Sequence, residues 1–156
     1  MQVNVPALAL RAIFSRAAAR LDLAHGAPVA AGLTPQAKAL AAAAAALAER
    51  RTLVLVVPTD RDVDQVAADA RFFVTALHGA TDAETERLVL PFPSWQVDPY
   101  RGMSPHFRVA AARARALQLA AGRHAQLVVA SAAALLPKVS PAARILQAAL
   151  DVRSGT

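Results

Sequence analysis

The sequence predicts an α/β domain built on a small parallel sheet with helices on both faces. Three observations carry that expectation. Two short runs, Thr52–Val57 above all and then Gln126–Ala130, are apolar at every position after the first, as strands covered on both sides must be. Each run is followed by helix-starting residues, Pro58-Thr59-Asp60 after the first and Ser131 after the second. The stretches between runs are far too long for hairpins, so the strands connect by crossovers and pair in parallel, with right-handed connections.

Taken in order, residues 4–21 open with Val5-Pro6 and carry Leu8, Ile13, Ala17 and Leu21 at near-helical spacing, which predicts a helix ending before His25-Gly26. Residues 28–33 read as a short buried strand. Thr34-Pro35-Gln36 then supplies an N-cap and a first-turn proline for a helix running to Arg51, with Ala37, Leu40, Ala41, Ala44 and Leu47 on one face. Thr52–Val57 is the clearest strand and is expected at the centre of the sheet. Thr59 or Asp60 caps the next helix, whose stripe is Val63, Val66, Ala67, Ala70, Val74 and Leu77. Asp62, Asp64 and Asp69 suit a solvated helix start better than a metal cluster. Residues 78–87 read as a surface loop, and Leu88–Leu90 as a strand that stops at prolines.

A proline-rich crossing follows, holding the only Trp and the only Tyr of the chain. Ser104-Pro105 is expected to open a helix with Phe107, Ala110, Ala111, Ala114, Leu117 and Ala121 on its buried face, ending at Gly122-Arg123-His124. Gln126–Ala130 is a buried strand, Ser131 caps a short turn through Leu136, and Ser140-Pro141 starts a last helix ending near Leu150. Four strands with an incomplete edge suggest a lobe of something larger. The expected division is an N-terminal helix over 1–26, the α/β lobe over 27–145, and the start of a following domain over 146–156.

Composition narrows the function classes. The chain has 156 residues, enough for one sizeable core. Although 56% of residues are hydrophobic, no apolar run reaches the roughly 18–20 residues of a membrane span. The absence of cysteine excludes disulfides and thiolate metal sites and fits the cytoplasm, and the N-terminus shows no secretory signal. The formal charge of +6 is uneven: residues 104–156 hold seven basic side chains against one acid, and residues 52–103 four against eight. Such charge is compatible with nucleic-acid contact. Heavy arginine and alanine use together reads more simply as a compositional bias.

Candidate chemistry is sparse. A strand, tight turn and helix around Gly32 is the setting of a phosphate-binding loop, but the pattern is degenerate: one glycine, Thr34-Pro35 in the turn, and Lys38 followed by alanine where a hydroxyl should be. Pro35 also lacks the N–H that a phosphate cradle needs. No nucleophile elbow or metal-ligand spacing is present, and Ser94 and Ser104 have no base in a recognisable motif. The histidines fall in turns or at helix ends, and Asp98 suits turn hydrogen bonding. Trp95 and Tyr100 can stack on bases or anchor the crossing to the sheet. Arg108 and Arg115 share a helix face that is more simply solvated than phosphate-binding.

One run is specific. Phe92-Pro93-Ser94-Trp95, then Pro99-Tyr100, then Ser104-Pro105-His106, with Arg113 and Leu117 beyond, resembles the N-terminal UvrB-like module of the bacterial transcription-repair coupling factors (Mfd). The strand 53–58 with its acidic-started helix, and Leu127–Ser131 with Leu135-Leu136 and Pro141, are similar too, so the likeness spans roughly residues 28–141. It implies a helicase-like, RecA-type lobe with a degenerate phosphate loop at Gly32, Thr34 and Lys38. UvrB itself carries a working loop and a long DNA-gripping hairpin, for which Arg101-Gly102-Met103 leaves no room.

The resemblance further implies a role in DNA repair, within transcription-coupled nucleotide excision repair. Full-length members displace stalled RNA polymerase by ATP-driven translocation on DNA and recruit UvrA. Their motor, with its ATP and magnesium, would lie beyond Thr156. This chain would then be a non-catalytic scaffold with no cofactor of its own, meeting UvrA, polymerase and DNA through those other domains and no membrane. The alternatives are a divergent phosphate-loop ATPase using Lys38, and a stand-alone basic nucleic-acid-binding module using Arg108, Arg113 and Arg115.

Overall fold

A computed structural model describes residues 5–20, 31–49, 51–98 and 101–150. It is α/β. Helix α1 (Val5–Arg20) and helix α2 (Pro35–Ala48) precede strand β1 (Leu53–Val57). Helices α3 (Asp60–His78) and α4 (Asp82–Leu88) lead to β2 (Val89–Phe92), and α5 (Phe107–Ala121) leads to β3 (Leu127–Ser131). A 3-10 turn (Ala132–Leu135) and α6 (Ala142–Ala148) complete the described chain.

The sheet is parallel with order β1-β3-β2, and Leu53 and Val89 both align with Leu127. The central strand is therefore β3, buried at all five positions, and β1 lies at an edge with Val54 and Val56 about half exposed. An all-apolar run shows that a strand is present but does not say which neighbours it takes. Of the strand expected at 28–33, residues 28–30 lie outside the described residues and 31–33 are irregular, so three strands are described rather than four. The predicted end of α1 before His25-Gly26, like the tail 151–156, also falls outside them.

Two layers cover the sheet. On one face α2 and α3 bury Ala39, Leu40, Ala43 and Ala46 against Val63, Val66, Ala67 and Val74, over Val57, Val89, Leu127 and Val129. Alanine lets these helices approach closely. Phe14 of α1 packs edge-on against Phe72 and Phe73, with centroids 5.9 and 5.1 Å apart, and so ties α1 to α3. On the other face α5 covers Leu90, Phe92, Val128 and Ala130 through Ala116, Leu117 and Ala120.

Several local expectations change. Residues 82–88 form a helix rather than loop, because Thr81 and Glu84 build a reciprocal capping box. Leu88 closes that helix, and β2 then runs through Pro91, which an edge strand tolerates. The start of α5 is Phe107 rather than Ser104-Pro105. His106 is its N-cap, its Nδ1 accepting from the Arg108 N–H at 3.3 Å. The buried face of α5 is also not the expected one. Arg113 and Ala116 are its buried residues, whereas Phe107 is 71% exposed. In a helix so rich in alanine the apolar stripe has almost no contrast, and an arginine is not counted as core.

Candidate functional site

In parallel α/β sheets, ligands enter at the carboxyl ends of the strands. Here three segments meet at that edge: Pro58–Asp60 after β1, Pro93–Gln96 after β2, and Ser131 with its 3-10 turn after β3. Asp60 is the first residue of α3, set in place because Thr59 caps the helix through a reciprocal bond with Asp62. Its carboxylate accepts from the Ser94 N–H at 2.7 Å and from the Ser94 hydroxyl at 2.5 Å. Burial alone would raise the Asp60 pKa. Hydrogen bonds from the Ser131 hydroxyl, from both Ser94 donors and from Gln96 outweigh it and hold the carboxyl below its ordinary range. Ser131 is fully buried, and its Oγ also accepts from the Ala134 N–H, capping the 3-10 turn.

The second centre of the site is Arg113, only 2% exposed. Its guanidinium lies between two aromatic rings, 4.0 Å from the Phe92 centroid and 4.4 Å from that of Trp95. Nη1 donates to the Pro93 carbonyl at 2.6 Å and to Ala134 at 3.4 Å, while Nη2 reaches Ala134 at 3.5 Å. Burial lowers its pKa from the ordinary value, and the negative charge of Asp60 opposes that. An arginine stays protonated under such pressure. Asp60 and Arg113 thus grip the same crossing from two sides: Asp60 holds Ser94, and Arg113 holds Pro93 and Trp95. The crossing turns sharply after them, with Gln96 at a φ of 58° and its N–H bonded to the Ser94 hydroxyl at 3.2 Å.

The Ser94 hydroxyl is bonded to a carboxylate and has no imidazole beside it among the described residues: His106 caps α5, and His78 and His124 line a separate cleft with Glu84 and Gln126. No group of three His, Asp or Glu among the described residues is placed to hold a metal ion. Nor is any helix there long and apolar enough to cross a membrane.

The residues singled out from the sequence divide into three groups. Gly32 has a φ of 74°, Thr34 caps α2 by accepting from the Ala37 N–H at 3.2 Å, and Lys38 is exposed on that helix. Trp95 belongs to the arginine sandwich. Ser104 is exposed, Pro105 borders a groove with Trp95, and His106 is the cap already described. Pro99 and Tyr100 lie outside the described residues. Among the arginines, Arg108 is exposed and Arg115 donates to the Glu86 carbonyl at 3.2 Å.

Sequence reasoning missed Asp60 as more than a cap, and Arg113 as core. A legible signal existed for the first: an acid directly after a strand-ending Pro-Thr sits at the carboxyl edge of a parallel sheet. Comparison with protein-family models, with curated proteins and with solved structures returned no match.

Proposed function

We propose that this chain is a non-catalytic, helicase-like scaffold lobe, the N-terminal UvrB-like module of a cytoplasmic transcription-repair coupling factor. On this reading ATP-driven translocation and the contacts to RNA polymerase, UvrA and DNA belong to other domains of the full-length protein. The observation that carries it is the use made of the carboxyl edge. Asp60, Ser94, Ser131 and Arg113, polar groups standing where a ligand would enter, bond to one another's segments and fix the Phe92–Trp95 crossing. That crossing is also the part of the sequence on which the resemblance rests. A degenerate loop at Gly32, Thr34 and Lys38 agrees with a lobe that has no nucleotide chemistry, since the Thr34 hydroxyl already serves as a cap.

The test is a titration with a fluorescent ATP analogue and magnesium, joined to reading the coding frame past Thr156. The expected result is no saturable micromolar binding, and a frame continuing into a Gly-x-x-x-x-Gly-Lys-Thr motor. Saturable binding abolished by Lys38→Ala would establish the ATPase reading instead. A stop codon after Thr156 would remove the coupling role.

A further inference from the structure

The first turn of α5 is held by a side chain that titrates. Its N-cap is His106, whose main-chain carbonyl accepts from the Val109 N–H at 2.9 Å and from the Ala110 N–H at 3.1 Å. The Arg108 N–H has no partner within the helix and donates instead to the His106 Nδ1 at 3.3 Å. A histidine nitrogen accepts only in the neutral ring, because both nitrogens of the imidazolium are donors. The hydroxyl caps elsewhere, Thr34 on α2, Thr81 on α4 and Ser131 on the 3-10 turn, carry no such condition.

A proton on His106 acts against this turn twice. It removes the acceptor of the Arg108 N–H, and it places positive charge at the positive end of the helix dipole. The surroundings do not offset this. Of the elements packed against α5, β2 holds no titratable side chain, and α6 holds only Arg144, which lies beside Ala114 and Gln118. On the segment leading to the helix, Asp98 pairs with Arg101, and further along α5 Arg115 pairs with Glu86. Among the described residues no carboxylate lies within ion-pair distance of the His106 ring. The nearest cation on the helix itself is Arg108, with its guanidinium 5.9 Å from the Phe107 ring. That ring lies 4.7 Å from His106 and attracts an imidazolium, but it is 71% exposed, where such attraction is weak.

From the acceptor nitrogen at the cap and the lack of a compensating acid, we propose that the first turn of α5 is a pH-sensitive device, closed while His106 is neutral and opened when the ring gains a proton. Histidine changes charge between about pH 8 and pH 5, so the cap contributes fully at the upper end and is lost as pH falls. The opening is local. Arg113, nearly two turns further along the helix, is bonded to Pro93 and Ala134 and keeps the rest of α5 on the sheet. The inference uses only this turn and does not depend on the parent protein.

The test is a pH titration of the full, isotope-labelled chain followed by NMR. Helical Cα shifts of Phe107, Arg108 and Val109 report the state of the turn, and the ring signals of the histidines report their protons. The expected result is a rise of about fivefold in the open population of the turn between pH 8 and pH 5, the size of a lost N-cap, following the His106 ring signal. Val128 and Val129 of β3 should keep their shifts, which separates local opening from unfolding. His106→Asp, ionised throughout this range, is expected to keep the turn helical at both ends of the titration. Unchanged shifts in the wild type, a loss that extends to β3, a change that follows His78 or His124 instead, or a pH dependence that persists in His106→Asp would each overturn the proposal.

Discussion

The two faces of this sheet are packed by different means. Under α2 and α3 the buried cluster is alanines against valines and leucines, and the part-buried Arg71 of α3 donates to the Val89 carbonyl at 3.0 and 3.2 Å on that side. Under α5 the apolar contact is smaller, and its outer end is closed by a buried arginine held between Phe92 and Trp95. The first face is held by area removed from water, which is non-directional and tolerates small shifts. The second adds directional hydrogen bonds from Arg113, which fixes the crossing at the carboxyl edge together with Asp60 at the start of α3. One face thus rests mainly on apolar area, while on the other a buried cation joins that area to the crossing.

Removing the arginine should break this comparison most sharply. Arg113→Ala would leave the Pro93 and Ala134 carbonyls without their donor and empty the space between two rings, an expected loss of about 3 kcal/mol in urea unfolding. Arg113→Lys should recover only part of this, because an ammonium lacks the planar fork that both stacks and donates. If Arg113→Ala melted like the wild type, the lock would be ornamental.

Overpacking tests the opposite face. Ala43 is fully buried between α2 and its neighbours, so Ala43→Leu should cost about 2 kcal/mol while leaving Trp95 fluorescence unchanged. A shifted Trp95 spectrum in that variant would show that the two faces are coupled.

Asp60→Asn is expected to cost about 1 kcal/mol, since an amide oxygen accepts more weakly from Ser94 than a carboxylate does. It also carries a pH signature. The Asp60 pKa is lowered in the folded chain, so its contribution is full above the ordinary value of 3.8 and is lost as pH falls through the lower, folded value. Unfolding followed between pH 5 and pH 2 should show the wild type losing more stability on acidification than Asp60→Asn.

The smallest effect is expected at Val54 and Val56. They point to the α5 side but lie beyond its cover, so Val54→Thr should stay within about 0.5 kcal/mol of the wild type. A larger loss would mean that this part of β1 is covered in solution.

Local chemistry was largely readable along the chain. Thr34, Thr59 and Ser131 act as caps where a hydroxyl preceding a helix predicts it. The stripe of α3 packs as its spacing requires, because charged residues occupy its other faces and give the pattern contrast. In α5 that contrast is missing: alanine faces differ little in hydrophobicity, and the residue that decides the orientation is a cation. Residues 82–88 were misread for the opposite reason, since a polar composition hid a capping box that is itself a sequence signal.

The sequence by itself thus determined the element types, their main caps and the parallel α/β class, all set by interactions within a few residues or by the length of the connections. Only the tertiary structure decided that β3 is central and β1 an edge, that α5 turns Arg113 inward, and that Asp60 meets Ser94 across 34 positions of chain. Those outcomes rest on partners distant in sequence. A buried charge is stable only where such partners converge on it, and no local pattern announces that they will.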